Sequence, residues 1–409
     1  MKILIVGENA SARKGGEAIL PLKYAVMMQE RGHDVVLVTH ARNREEITTD
    51  YPTLAPVTSY IEDAPSHRWL WAIGERLPSG LQDQVIGGLI HILTALDMRK
   101  LVRVALSQDR FDVVHQPIPV SPMAPSPLHG LNVPLVIGPM NGGMSYPPGY
   151  GDREGIIVRV FLKLGRLTMR FANRLWAGKR QAAVLLVANE RTRRALPLDH
   201  DRIITMTENA VDLRVWKLPA EQPDAGQRHG FRLTFMGRMI PLKGLDLTLQ
   251  AMLIVRASRP DLNITLDILG DGPERAWIEQ RAIPGVYVHG LLTQAECAAR
   301  LAGADALILN SLRECGGAVI LEAMALGVPV IASDWGGPAE YVTPETGLLV
   351  HPSPPQTFPK RLASAILQLA DNPDLAQRMG AAGVARVDAH FDWEDQADRM
   401  EEIYNSVRA

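Results

Sequence analysis

The chain has 409 residues, more than one hydrophobic core usually covers, so two domains of roughly 200 residues each are expected. Lys and Arg number 43 against 45 Asp and Glu, a formal net charge of −2, so bulk charge gives no support to a nucleic-acid partner or an acidic tail, and any basic surface must be local. Cys297 and Cys315 are the two cysteines, which excludes a disulfide framework and fits a reducing compartment. No apolar run approaches the roughly 18 residues of a spanning helix, and KILIVG is too short for a signal-peptide core. A cytoplasmic protein is expected, touching a membrane only from outside it.

In chain order, short β-branched runs alternate with longer helical patterns. Strands are predicted at Lys2 to Gly7, Asp34 to Thr39, Asp112 to His115, Pro134 to Gly138, Ala183 to Ala188 and Ile203 to Met206. From Asp212 to Gly230 periodicity is lost and polar and Pro residues gather, which marks a linker. The alternation restarts at Arg232 to Gly237, Ile264 to Gly270, Val286 to Gly290, Asp305 to Asn310, Val328 to Ser333 and Gly347 to Val350. Alternating strand and helix signals predict parallel sheets wrapped by helices, hence two doubly wound halves with ligands outside the carboxyl ends of the strands.

Chemistry is therefore sought in the loops that follow strands. After the first strand, Gly15 and Gly16 open a helix; glycine there lets a ligand approach the backbone, and serves equally as a plain loop-to-helix turn. Asn141, Gly142 and Gly143, just past PLVIG, carry the same two readings. His115 ends the strand DVVH before a Pro-rich segment that cannot continue a ladder, and a lone histidine at such a rim is as much a packing residue as a functional one. Arg159, Lys163, Arg166, Arg170 and Arg174 are spaced by three or four, which lines them on one helix face beside Phe161, Phe171 and Leu175. That pattern reads as a solvated face or as a basic amphipathic helix meeting an anionic membrane. Asp199 and Asp201 form a DxD pattern that reads as a turn.

In the second half, FMGRMIPLKGLDLTLQAM puts Arg238 and Lys243 in a loop entering an apolar helix, where both can reach a phosphate at its N-terminus. Lys243 precedes Gly244, so the Walker order is absent. In DILGDGPER, Arg275 stands where a third glycine would complete GxGxxG, so a dinucleotide fingerprint fails and a tight turn remains. The richest stretch is Arg313 to Val342. Glu314 and Glu322 bracket Gly316 and Gly317, which leave N–H groups bare at the start of the helix GAVILEAMAL. That helix is apolar on nearly every face, so Glu322 is costly to bury without a hydrogen-bonding partner. A hydroxyl acceptor beside a phosphate cradle suits a nucleotide joined through phosphate to a polyol.

Together these segments resemble the family 4 glycosyltransferases of the GT-B fold. GRMIPLKGLDLTLQAM is similar to the family's GR…KG stretch, ECGGAVILEAMALGVPVIAS to its E-x7-E motif, and ENAVDLRVW to its interdomain segment. The resemblance covers the C-terminal half almost continuously and the N-terminal half more loosely. It implies an α/β, GT-B protein with two doubly wound Rossmann-like domains facing a central cleft: an acceptor domain over 1–205, a nucleotide-sugar donor domain over 206–385, and a last helix, 386–409, crossing back. It further implies a retaining transferase that needs neither metal nor cofactor, with a nucleotide diphosphate sugar as donor and a glycan or lipid-linked acceptor.

Carried over, Arg238 and Lys243 would bind the diphosphate, helped by the amides of Gly316, Gly317 and Ala318. Glu322 would hold the ribose, Glu314 the donor sugar and Gly290 would lie near the base. Gly16 would approach the donor phosphate, His115 would face the donor sugar, and Gly15, Asn141, Gly142 and Gly143 would line the acceptor side. Two departures bear on this: Cys315 and Gly316 stand in place of the first glycine and the aromatic of the family's E-G-F-G form, and Ala210 replaces the glycine after Asn209. A nucleotide-sugar epimerase on the same scaffold, or a binding protein without catalysis, would use much the same residues.

Overall fold

The computed structural model describes residues 1–14, 16–74, 87–151, 165, 168–217 and 230–408. Its first sheet holds β1 (Lys2–Val6), β2 (Asp34–His40), β3 (Thr58–Ile61), β4 (Val113–Gln116), β5 (Leu135–Met140), β6 (Val184–Val187) and β7 (Ile203–Thr205). The strands run parallel in the order β3-β2-β1-β4-β5-β6-β7. Runs such as VLLV in β6 are apolar at every position and fully buried, which demands cover on both faces of the sheet, as parallel sheets require. The second sheet holds β8 (Phe231–Met236), β9 (Ile264–Leu269), β10 (Val286–Gly290), β11 (Ala306–Leu309), β12 (Val330–Ser333) and β13 (Gly347–Val350). Its order, β10-β9-β8-β11-β12-β13, is again wholly parallel.

Each order reverses once, between β1 and β4 and between β8 and β11. At such a reversal the loops leaving the two neighbouring strands diverge, and the crevice they leave is where doubly wound sheets hold ligands. The loops after β8 and β11 carry Arg238, Lys243 and Glu314.

Every predicted strand is present, with ends shifted by one or two residues. The sequence reading missed β3, whose TSYI is a half-buried edge strand too short to show clear alternation. The strand expected from Val328 starts at Val330, past Pro329, whose nitrogen has no proton to give a ladder.

Contacts divide the chain into two compact units: Met1–Gly143, Val160–Glu208 and Ala397–Ala409 in one, Met144–Arg159 and Asn209–Gln396 in the other. Three details differ from the expected boundaries. The division falls after Glu208. The segment from Met144 goes with the second unit, fastened by hydrogen bonds from Trp335 Nε1 to Ser145 O (2.9 Å), Tyr150 OH to Pro352 O (3.1 Å) and Ser353 Oγ to Pro148 O (2.6 Å). Of the terminal segment, residues 386–396 belong to the second unit and 397–409 to the first. Residues 218–229 of the expected linker lie outside the described residues, as do Arg159, Lys163, Arg166 and Phe161 of the expected basic helix.

The helix Ala318–Ala325 shows how the second unit's core positions its loops. Ile320, Leu321, Ala323 and Met324 are completely buried, each large side chain contributing about 1.5–3 kcal/mol. Behind it the helix Pro373–His390 comes close through Gly380 and Gly383: a Cβ on Gly383 would sit 3.2 Å from Met324.

Candidate active site

The loop after β8 turns through a 3-10 turn, Pro241–Lys243, closed by Gly244 at φ +69°, and enters the helix Leu245–Ser258. Glycine is required there on two counts, the left-handed backbone and the neighbour: a Cβ would lie 2.9 Å from Asn310 Nδ2. Asn310 follows β11 and is completely buried. Its Nδ2 donates to Gly244 O (2.8 Å), its Oδ1 accepts from Thr248 Oγ1 (2.6 Å), and Leu312 N donates to Leu242 O (2.8 Å). These bonds fasten the two loops at the switch point to each other.

Lys243 is thereby set against Glu314. Its ammonium donates to Glu314 Oε2, and Ser311 Oγ donates to the same oxygen at 3.1 Å. Both side chains of the ion pair keep 17% of their surface open, so the charges are paired yet reachable. Arg238 is exposed, and no group among the described residues engages its guanidinium.

Beyond Glu314 the chain folds back on glycines. Gly317, at φ +101°, precedes the helix Ala318–Ala325, whose first N–H groups have no carbonyl one turn earlier to bond. A side chain on Gly316 would overlap Asn209 Nδ2, which donates to Tyr341 OH at 3.1 Å. Gly337 N donates to Glu314 O (3.0 Å), and Gly336 has room for no Cβ beside that same carbonyl and Met144.

Glu322 stands one turn after Ala318, on the helix face that also keeps Ala318 and Val319 partly open. Its carboxyl has no hydrogen-bonding partner among the described residues, and loss of water pushes its pKa up to about 7. The sequence reading expected a partner for this group; none of the described residues supplies one.

Three more glycines gather at neighbouring strand ends: Gly237, Gly270 and Gly290 follow or end β8, β9 and β10. Gly270 N donates to Gly290 O and Gly237 N to Leu269 O, both at 2.9 Å. A side chain on Gly270 would overlap Gly237 O, so the rim is bare backbone. Arg275, the residue that breaks GxGxxG, bonds Asp271 (3.0 Å) and Glu279 (2.8 Å) and lies 3.1 Å from where a Gly290 Cβ would be. Sequence reasoning singled out Gly290 but not Gly237 and Gly270; only the register of β8 and β9 brings those together.

In the first unit the picture differs from expectation. His115 is completely buried. Tyr404 OH donates to its Nδ1 at 2.6 Å, which leaves Nε2–H to donate to Gly138 O at 2.6 Å. Burial pushes its pKa down to about 4, so it is neutral and internal, and the expected role facing a donor sugar is corrected to one of fastening β4, β5 at Gly138 and the helix Trp393–Val407. Asn141 is buried too, its Oδ1 accepting from Arg191 Nη2 (3.0 Å). Gly142 donates its N–H to Thr192 Oγ1 (3.1 Å) and accepts Arg191 Nε (2.9 Å), and a Cβ on it would meet Pro122 Cδ at 2.5 Å. Gly143, at φ +75°, packs on Ala195 and Arg191. Internal packing accounts for this glycine pair. Gly16 adopts φ +58° with open space around it, and Gly15 lies outside the described residues.

Residues 230–372 match the family model described as Glycosyl transferases group 1. A GDP-mannose-dependent monoacylated alpha-(1-6)-phosphatidylinositol monomannoside mannosyltransferase of Corynebacterium glutamicum is 36% identical over 179 residues, 41% of this chain and 45% of that protein. A D-inositol 3-phosphate glycosyltransferase of Pseudarthrobacter chlorophenolicus is 25% identical over 406 residues, 93% of this chain and 87% of its own length. The chain spans about half the length of the curated relatives that it matches at 30% identity or more. Among solved structures, Anabaena HepE in complex with UDP superposes with a TM-score of 0.68 at 16% identity, over 99% of this chain and 100% of the other.

Proposed function

The chain belongs to the family 4 glycosyltransferases and has the GT-B α/β fold, and from that premise we propose that it is a hexosyltransferase moving a sugar from a nucleotide diphosphate to an acceptor hydroxyl. The observation that carries this reading is the unpartnered, desolvated carboxyl of Glu322, one helical turn from bare amides and in the same domain as the Lys243–Glu314 pair. Ribose hydroxyls would give Glu322 the donors that none of the described residues supplies. Arg238, Lys243 and the amides at Gly316, Gly317 and Ala318 would take the diphosphate, Glu314 the donor sugar, and the bare rim at Gly290 the base.

Cleavage of the bond from anomeric carbon to phosphate oxygen leaves a pair of electrons on the diphosphate and positive charge on the sugar. Arg238 and Lys243 meet that growing negative charge and stabilise it more in the transition state than in the ground state, which is what accelerates the step. The acceptor oxygen bonds to the anomeric carbon on the face the diphosphate leaves, and its proton passes to the departing phosphate oxygen. That course retains configuration without a protein nucleophile, and the positive charge that offsets the leaving diphosphate comes from side chains and amides rather than a metal. Transfer assayed with each nucleotide sugar, with and without chelator, tests it; inversion at the anomeric carbon, or activity abolished by chelator, overturns the mechanism.

A glycan or lipid-linked acceptor at the cytoplasmic face of a membrane fits two observations. The relatives above are named for inositol-containing acceptors. Within the described part of the basic helix, Arg170, Phe171, Arg174 and Leu175 are all exposed, a basic and apolar surface suited to anionic lipid.

A further inference from the structure

The first sheet has its own carboxyl edge, and the loops after β1 and β2 gather charged groups there that the chemistry above does not use. The segment Ser11–Lys14 is wound around the buried carboxylate of Glu46, which accepts Ser11 Oγ (2.5 Å), Ala12 N (2.7 Å) and Arg13 N (3.1 Å), while Lys14 N donates to Ser11 Oγ (3.1 Å). This fixes where Lys14 leaves the backbone. Its Nζ donates to Asn43 Oδ1 at 3.2 Å. Asn43 is buried, with Nδ2 bonded to Thr39 Oγ1 (2.9 Å) and Glu8 O (3.3 Å), so its oxygen is held toward Lys14.

The two carboxylates whose charge reaches this lysine, Glu46 and Glu8, already have partners among the described residues, and so do others on the neighbouring loops. Glu46 serves the loop, Glu8 takes Arg42 (3.1 Å) and His91 (2.8 Å), Asp50 takes Arg13 (2.8 Å), Asp63 takes His40 (3.3 Å), and Glu17 accepts Val120 N (3.0 Å). Lys14 hydrogen-bonds an amide oxygen, and its pKa is lowered by lost water and then by the charge of Arg42, which together outweigh the pull of Glu46 and Glu8. An exposed cation held by this loop beside a second cation, with Asn43 as its one side-chain partner among the described residues, can take an anion from outside.

We propose that Lys14, with Asn43 holding it and Arg42 beside it, seats a phosphate ester carried by the acceptor. The assignment to acceptor rather than effector rests on the transferase reading; the anion site itself does not. A soluble phosphorylated polyol and a phospholipid headgroup share this chemistry. The test uses the full chain and Lys14→Met, an exposed and therefore tolerated change. Inorganic phosphate and glycerol 3-phosphate are titrated by calorimetry, and binding to phosphatidylglycerol vesicles is compared with phosphatidylcholine vesicles. Lys14→Met weakens the soluble probes at least tenfold if the ligand is free, vesicle binding if it is a headgroup, and both if either is accepted. Lys14→Arg restores binding, and nucleotide diphosphate affinity stays at the parent value. Equal binding of every probe by parent and Lys14→Met overturns the proposal. Loss of phosphate binding in Arg238→Ala but not in Lys14→Met overturns it too, since the ion then sits on the donor side. Failure of the parent to bind any nucleotide diphosphate strikes the transferase reading and leaves the phosphate result standing.

Discussion

Asn310 Nδ2 donates to the carbonyl of Gly244 across the point where the second sheet reverses its order, at 2.8 Å and fully out of water. The bond sets the turn that aims Lys243 at Glu314. Asn310→Ala strips a partner from both Gly244 O and Thr248 Oγ1, and leaving buried polar groups unpaired costs about 1–3 kcal/mol. A lowered Tm together with a fall in kcat larger than any rise in donor KM is expected. A variant that loses stability but keeps parental kcat would show that the brace does not position the lysine.

Gly316→Ala tests the backbone cradle. Its Cβ would overlap Asn209, which must then leave Tyr341 or push the Glu314–Gly317 backbone aside. Nucleotide diphosphate affinity should fall at least tenfold, read by calorimetry, while the far-ultraviolet circular dichroism keeps its parental shape. Parental affinity would separate this backbone from the ligand.

Glu322 makes stability depend on pH in a stated direction. Its folded pKa, about 7, lies above its ordinary carboxylate value, so between roughly pH 4.5 and 7 the folded chain keeps a proton that the unfolded chain has lost. Stability contributed at this position is therefore highest at low pH and declines as pH rises through that window. Glu322→Gln should leave stability and Tm near the parental values at pH 5 and raise both at pH 8, stability by roughly 1–3 kcal/mol once partial exposure is discounted. Donor binding, which gives the ionised carboxylate its hydroxyls, should release a proton at pH 6, seen as a binding heat that changes with the buffer's ionisation enthalpy. No gain in Tm at pH 8 would mean the carboxyl is already compensated.

The basic surface makes a separate prediction. Replacing Arg170 and Arg174 with Glu should reduce co-sedimentation with anionic vesicles several-fold and leave transfer to a soluble acceptor unchanged, because both arginines are exposed. Unaltered sedimentation would return these residues to a solvated helix face.

Residue type and spacing carried the strands of the second domain well, and its local pattern is legible too: a glycine pair opening an apolar helix with one carboxylate five residues after it can be read from Gly316 to Glu322 directly. What lies across the sheet was not legible. Nothing near Lys243 in the chain names Asn310, and nothing near Gly237 names Gly270, since parallel pairing joins loops thirty to seventy residues apart. His115 misled for a related reason. A histidine at a strand end looks like a rim residue until Tyr404, 289 residues later, closes over it. The segment Met144–Tyr150 reads as a loop of the first half, and only its bonds to Pro352, Ser353 and Trp335 place it with the second.

The most direct measurement is a calorimetric titration of UDP, GDP and ADP into the parent chain, Lys243→Ala and Glu322→Ala. One nucleotide should bind the parent selectively, and each substitution should weaken it at least tenfold, since Lys243→Ala leaves Arg238 as the one side-chain cation assigned to the diphosphate and Glu322→Ala removes the acceptor assigned to the ribose. Binding of that nucleotide with equal affinity to all three chains would contradict a donor site built on these residues.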